Sequence, residues 1–171
     1  MADHPSASSP ESKTLPFVVF ALDERRYALA LARVRRSIRA IAITPLPEAP
    51  PIVLGIIDLG GTVLPVIDIR RRFGRPPREL RLSDQLMIAD TGRRSLALLV
   101  DETKGVIEVS PDRYTAASAI IPGLGPIGGA LTLDDGLVLI HDLDLLLSLD
   151  EESAIDLALG AAERKDDELG R

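Results

Sequence analysis

The residues whose types could do chemistry are few, and their spacing decides what each can do. Asp90-Thr91-Gly92, after the apolar run Leu86-Met87-Ile88-Ala89, is a triplet that presents a carboxylate for acid-catalysed peptide hydrolysis. That chemistry needs two carboxylates sharing one proton, from two triplets or from a second copy of the chain. Arg93-Arg94 follow directly, where a desolvated catalytic loop calls for small residues. A hairpin turn with glycine in the left-handed region accounts for every residue. Gly123 to Gly128, G-L-G-P-I-G, spells the G-x-G-x-x-G of dinucleotide sites. Such a site sets its glycines between a strand and a helix, so that phosphate meets helix N-terminal N–H groups. Here a strand and a turn follow, Gly129-Ala-Leu-Thr-Leu-Asp-Asp-Gly136, which makes the match a loop.

Asp134, Asp135, Asp142 and Asp144 suggest a hard cation, but the glycine and distal glutamate of a calcium loop are missing. Turn acids and a helix N-cap explain them. His141, at a strand end, and His4, in the opening segment, are the only histidines, so no Ser-His-Asp arrangement is available. The arginines of 70–81 invite phosphate contacts. Nucleic-acid surfaces add stacking aromatics or a reading helix, and Phe73 is the lone candidate. No catalytic residue, cofactor, metal or nucleic-acid partner is expected.

The elements that position these residues follow from composition and pattern. The chain has 171 residues, enough for one ordinary domain or two small subdomains sharing a core. Hydrophobic residues make up 46% but aromatics only 3%, so Val, Ile, Leu and Ala must fill the core. The lack of cysteine excludes disulfides and thiolate metal sites and fits a reducing compartment. No apolar run reaches the ~18–20 residues of a membrane-spanning helix, and residues 1–14 lack the apolar region of a secretory signal. A cytoplasmic protein without direct membrane insertion is expected. The net charge of −6 hides an asymmetry: residues 15–81 carry twelve arginines against six acids, and residues 82–171 seven Lys or Arg against eighteen acids. Such a division either orients association with charged partners or is a solvated surface.

Residues 1–14 read as a disordered segment. Phe17–Leu22 and Tyr27–Leu31 flank a polar turn and form two strands. Residues 33–40 suit either one or two helical turns or an edge strand. Four prolines in T-P-L-P-E-A-P-P forbid a helix and force an extended connector. It leads into a hairpin of two apolar runs, Ile56–Leu59 and Val63–Ile69, turning at Gly60-Gly61, a pair that tolerates the positive φ of a tight turn. An arginine-rich loop at 70–82 is followed by a hairpin over 85–100, a strand at 105–109 and a long loop at 110–128. A last hairpin joins Ile127–Leu133 to Leu137–Ile140. Residues 142–148 read as a short helix, and 150–171 as an acidic tail, partly helical.

A weak repeat ties these elements together. A shift of 74 residues lays Gly55 on Gly129, Leu59 on Leu133 and Asp68 on Asp142. The apolar positions Ile57, Val63, Leu64, Val66, Ile69 and Phe73 then fall on Leu131, Leu137, Val138, Ile140, Leu143 and Leu147. Two copies of one β unit sharing a core explain this better than a single meander.

The order Y-A-L-A-L, V-R, T-P-L-P-E-A-P, G-I-I-D-L-G-G-T-V-L-P-V-I-D-I-R-R-R-F-G, L-L-V-D-E and L-D-D-G-L-V-L-I-H-D-L-D-L-L-L resembles the CheW-like family, coupling proteins of bacterial chemotaxis arrays. The resemblance spans residues 15–149. It implies a mainly β fold of two packed, SH3-like, five-stranded β barrels with short helices, subdomains near 15–81 and 82–149, and strand exchange between them left open. It also implies a non-catalytic adaptor that ties the cytoplasmic tips of chemoreceptors to the regulatory domain of a CheA-like histidine kinase, recruited to membrane-associated receptor arrays. Gly55, Leu59, Gly61, Pro65, Asp68, Phe73 and Val34 match the family pattern. The region of Val34 and the Gly55–Gly61 arm contributes its partner contacts, which makes Val34, Arg36, Gly55, Asp58, Leu59, Gly60 and Gly61 the candidate partner-binding residues.

Two positions depart from the pattern. Members carry Asn-Leu-Arg-Gly where this chain has Asp58-Leu59-Gly60-Gly61, and many carry a glutamate where it has Arg36. In the family those two side chains look like an ion pair, so both partners have changed together. An inverted local charge alters partner choice more than raw affinity. The alternatives are an adaptor of a divergent two-component or surface-motility pathway without standard chemoreceptors and, from another class, an aspartic-protease-like hydrolase using Asp90.

Overall fold

The computed structural model describes residues 13–120 and 125–170. The opening residues 1–12, with His4, lie outside the described residues, as does the Gly123-Leu124 start of the G-x-G-x-x-G match. The strands are β1 (Leu15–Leu22), β2 (Arg25–Ala30), β3 (Val34–Arg39), β4 (Val53–Leu59), β5 (Thr62–Ile67), β6 (Gln85–Asp90), β7 (Ser95–Val100), β8 (Glu102–Val109), β9 (Tyr114–Ala116), β10 (Ile127–Leu133) and β11 (Gly136–His141). The helices are α1 (Ile69–Arg72), α2 (Ala117–Ile120) and α3 (Leu149–Leu169).

The strands form two sheets, ordered β8-β1-β2-β11-β10-β9 and β3-β6-β7-β5-β4. Each sheet takes strands from both sides of residue 81. Neighbours are antiparallel except β11 with β2 and β5 with β7. Both sheets curl back on themselves in the same way. Beyond β8 the chain passes through a 3-10 turn, Pro111–Arg113, into β9, which pairs with β10. Beyond β3, Thr44 bridges Ile56 of β4 with N···O distances of 2.9 and 2.8 Å. With β8 and β9 counted as one bent strand, each sheet is a five-stranded barrel.

The barrels explain why four strands are apolar on both faces. Phe17 and Val19 of β1 point into the first barrel with Ala28, Leu131, Val138 and Ile140. Their neighbours Val18, Phe20 and Leu22 point out, into a core shared between the barrels with Tyr27, Leu29, Met87, Leu96 and Leu98. The second barrel is filled by Ile57, Leu64, Val66, Leu86, Ile88 and Ala97. Strands buried on both faces read as continuous apolar runs, and β1, β2, β6 and β7 do. Three of the five Phe and Tyr residues meet at one seam: Phe20, Tyr27 and Phe73 stack in series with ring centroids 5.8 and 4.4 Å apart, and His141 meets Phe73 edge-on at 4.3 Å.

The 74-residue repeat is structural. Ladder irregularities fall at Val53/Gly55 in one hairpin and at Ile127/Gly129 in the other. The N–H of Asp68 donates to Ile52 O and that of Asp142 to Pro126 O, at 2.8 and 2.7 Å. The two aspartates then cap the next turn, accepting from the N–H groups of Arg70 and Asp144. Gly55 and Gly129 are required at the barrel closures. A Cβ on Gly55 would sit 2.2 Å from Thr44 O, and one on Gly129 2.5 Å from Thr115 O.

Several segments differ from the sequence reading. Of the two alternatives for 33–40 the structure takes the edge strand, β3, with a 3-10 turn at Leu31–Arg33 just before it. The loop at 70–82 opens with α1, and the loop at 110–128 contains β9 and α2. Residues 142–148 hold only a 3-10 turn, Leu143–Leu145. The acidic segment is one 21-residue helix, α3, started by a capping box: the Ser148 hydroxyl accepts from Glu151 N–H at 3.1 Å, while Glu151 Oε2 accepts from Ser148 N–H at 2.8 Å. Ile155 and Ala158 bury one face of it, and Arg94 donates to Glu152 at 2.5 Å.

Candidate partner-binding surface

The hairpin β4–β5 turns at Gly60 and Gly61, with φ of 60° and 91°. Positive φ at both central positions is the tight-hairpin geometry whose twist matches the flanking strands. Asp58 closes the tip, its Oδ1 accepting from Gly61 N–H at 2.7 Å. Leu59 is half-buried against the interior of the second barrel. Asp58, Gly60, Gly61, Thr62 and Val63 are exposed, and added Cβ atoms at both glycines would meet open space. Gly55, four residues before Leu59, is buried at the bulge. It holds the strand's path at the closure with Thr44.

Val34 opens β3, half-buried against the core between the barrels. Arg36, just past a bulge, is exposed and makes no ion pair among the described residues. The registers place β3's start and the β4–β5 tip at the same end of the second sheet. Val66 lies beside Ala97 in the parallel ladder, so Thr62 falls toward Ser95, which pairs with Asp90; Val34 pairs with the adjacent Ala89. The two groups stand on the sheet's outermost strands in ladder order. The structure brings Val34, Arg36 and the 58–61 tip to one end of one barrel and leaves Gly55 behind as their support.

The other motifs resolve into structural roles. Asp90 ends β6, bound by Ser95 Oγ and by Arg35 Nε at 2.8 Å. The Ser95 hydrogen bond and the Arg35 charge hold its carboxyl below the usual range. A carboxylate paired with a cation cannot share a proton with a second carboxylate, so the hydrolase reading has no site. Asp134 and Asp135 pair with Arg113 and Arg26, Asp144 with Arg33, and Asp142 caps a turn. No cluster of metal-ligating side chains occurs among the described residues. His141 is buried, and burial pushes its imidazole down to about 4. Gly128 opens no helix, since it lies within β10.

Sequence reasoning missed the arginine network. Arg70, 7% exposed, donates to Asp23 at 2.7 Å and to Asp101 at 2.8 Å. Arg78 joins Asp84 and Asp101, and Arg75 joins Asp23. These groups tie the β1–β2 turn, the β7–β8 junction and the segment after α1. Burial penalises the charge of Asp101 and Asp84, and the guanidinium groups more than offset it, holding both below the usual range. The charge asymmetry is therefore used largely inside the molecule: Arg26–Asp135, Arg33–Asp144, Arg35–Asp90, Arg70–Asp101, Arg72–Glu151 and both Arg78 pairs join the basic half to the acidic one. The asymmetry itself was the available signal.

The CheW-like domain model matches residues 16–151. The chain belongs to the CheW-like family. It is 26% identical over 139 residues to the probable chemotaxis protein CheW of Rhizobium etli, covering 80% of this chain and 90% of that one. It is 25% identical over 141 residues to protein FrzA of Myxococcus xanthus, covering 82% and 79%. The crystal structure of the scaffolding protein TtCheW from Thermoanaerobacter tengcongensis superposes with a TM-score of 0.74 at 27% identity, over 81% of this chain and 96% of that one. As a CheW-like protein, the chain is a non-catalytic scaffold of chemotaxis-type signal transduction. Among the described residues, no helix is long and apolar enough to cross a membrane.

Proposed function

We propose that this CheW-like protein couples the cytoplasmic tips of chemoreceptors to the regulatory domain of a CheA-like histidine kinase, at membrane-associated arrays. Val34, Arg36, Asp58, Leu59, Gly60 and Gly61 supply the contacts and Gly55 positions them. The observation that carries this reading is the free tip. Asp58 closes it locally and no side chain elsewhere engages it, among the described residues, so its exposed backbone and Val63 stand open to a partner. Arg36, at the same end of the sheet, contributes an unpaired charge, and unpaired interface arginines often anchor binding.

A second reading keeps the scaffold and changes the pathway. Gly60 stands where the family pattern carries arginine, and Arg36 where many members carry glutamate, so the charge offered to a partner is inverted. That supports an adaptor of a divergent two-component or surface-motility system. Isothermal titration of the protein against its cognate kinase's regulatory domain and against a receptor tip tests both. Saturable binding on the order of tens of micromolar or tighter is expected, reduced in Arg36→Glu with an unchanged unfolding midpoint. A well-folded protein that binds neither that domain nor a receptor tip contradicts the adaptor reading.

A further inference from the structure

Asp90 stands beside the partner surface without belonging to it. Val34 packs on the core between the barrels and Ile38 on the interior of the second barrel. Residues four apart on a regular strand share one face, so β3 must switch faces between them. It does so at Arg35. Val34 pairs with Ala89 and Arg36 with Ile88, which leaves Arg35 as the extra residue of a bulge. A bulge re-aims the side chains beside it. This one turns Val34 to the face of Ala89, in the shared core, and Arg36 to the face of Ile88 and Ile38.

Apolar burial holds the bulge only weakly. Val34 is half-buried, Arg35 and Arg36 are exposed, and β3 is an outermost strand. Asp90 supplies the missing hold by taking both arginines that flank Val34. Its carbonyl oxygen accepts from Arg33 Nη1 at 3.4 Å, and its Oδ2 accepts from Arg35 Nε at 2.8 Å. The aspartate is itself anchored across the β6–β7 turn, its Oδ1 accepting from Ser95 Oγ. Arg33 reaches on to Asp144 at 2.9 Å, which ties the start of β3 to the first barrel as well. Arg36 has no ion pair among the described residues, so the clamp holds its neighbours and leaves its own charge to a partner.

We propose that Asp90 and Arg35 are positioning residues for partner binding: their ion pair pins the β3 bulge and so sets the directions in which Val34 and Arg36 meet the partner. This role rests on the coupling function above, to which it adds preorganisation. Because Arg35 is exposed, the pair contributes little to global stability. Its effect is on the fraction of molecules whose β3 start is ready to bind. A lower competent fraction weakens the apparent affinity in proportion and slows association, whereas a lost contact mainly speeds dissociation.

Two measurements test the role. In Asp90→Asn the amide oxygen still accepts from Ser95, but the amide nitrogen cannot accept from Arg35. In the free chain this variant should speed amide hydrogen exchange along Val34–Ser37 about fivefold, with the β10–β11 hairpin and the unfolding midpoint as in the parent. Against the cognate kinase's regulatory domain, Asp90→Asn and Arg35→Gln should each slow association about fivefold and leave dissociation unchanged. Arg35→Lys should fall between these variants and the parent. Asp135→Ala, which breaks an exposed pair at the other hairpin tip, should match the parent in both measurements. Exchange along β3 unmoved by Asp90→Asn would overturn the pinned bulge, whether or not the domain binds. Faster dissociation with unchanged association would make Arg35 and Asp90 direct contacts and equally overturn it. A parent chain that binds no regulatory domain contradicts the coupling function, and the exchange result then decides the bulge alone.

Discussion

The hairpins β4–β5 and β10–β11 are the same object built twice. Each has a bulge at a glycine, a threonine from a distant segment closing its barrel against that glycine, and an aspartate capping the turn that follows. They differ at their tips. Asp135 at the second tip is gripped by Arg26 through two bonds of 2.9 Å, and Asp134 by Arg113 at 3.0 Å. Among the described residues, the first tip has only its own Asp58–Gly61 side-chain bond. One tip is bound back onto the molecule and the other is left free, which places the available surface on the first. They differ again at their far ends, where Ile67 in one corresponds to His141 in the other. The shared parts carry the fold, and the differences carry what is particular to each end.

Breaking the shared parts should have the largest effects. Gly55→Ala sets a Cβ against Thr44 O in a backbone conformation, φ 154°, that side chains rarely adopt. A loss of about 3 kcal/mol or more is expected in chemical denaturation. Gly129→Ala meets Thr115 O at 2.5 Å without positive φ and should cost less, about 2 kcal/mol. Equal, negligible losses would show that the closures are not built as described.

The His141 difference should appear as pH dependence. Its imidazole is held near 4, against 6.5 in the unfolded chain, because burial disfavours the charged form. The unfolded chain therefore binds the proton more readily, so stability is full above about 6.5 and falls as pH drops toward 4. The loss through that window is on the order of 3 kcal/mol. His141→Phe should flatten the denaturation midpoint between those pH values, while the fall below about 4 from paired carboxylates persists. Removing a cap comes next: Asp142→Ala should cost about 1 kcal/mol in denaturant titration. The smallest effect belongs to the bound tip. Asp135→Ala breaks an exposed ion pair and should leave the unfolding midpoint essentially unchanged, since exposed pairs contribute little.

What could be read in the sequence was whatever local pattern determines. β1, β2, β6 and β7 are apolar on both faces and show as uninterrupted runs. Gly55/Gly129 and Asp68/Asp142 survive the repeat because a steric closure and a cap each require one residue type. What could not be read depends on distant partners. Thr44 closes a barrel from inside a proline-rich connector, and nothing near it in sequence marks the strand it meets. Arg70, Arg75 and Arg78 look like a solvated loop until Asp23, Asp84 and Asp101 arrive from elsewhere. α3 is different: S-L-D-E at 148–151 is a capping box in plain view, but the helix buries few side chains, so its apolar pattern is faint. Of the candidate site, the free glycine turn was legible, whereas its position at the same end of the barrel as Arg36 required the ladder registers.

The comparison of the two tips is tested most directly by amide-shift mapping of the full chain during titration with its cognate kinase regulatory domain. The account predicts that shifts concentrate at Val34–Arg36 and Asp58–Val63 and leave Asp134–Gly136 unmoved. Shifts centred on the β10–β11 tip, with the β4–β5 tip silent, would contradict it.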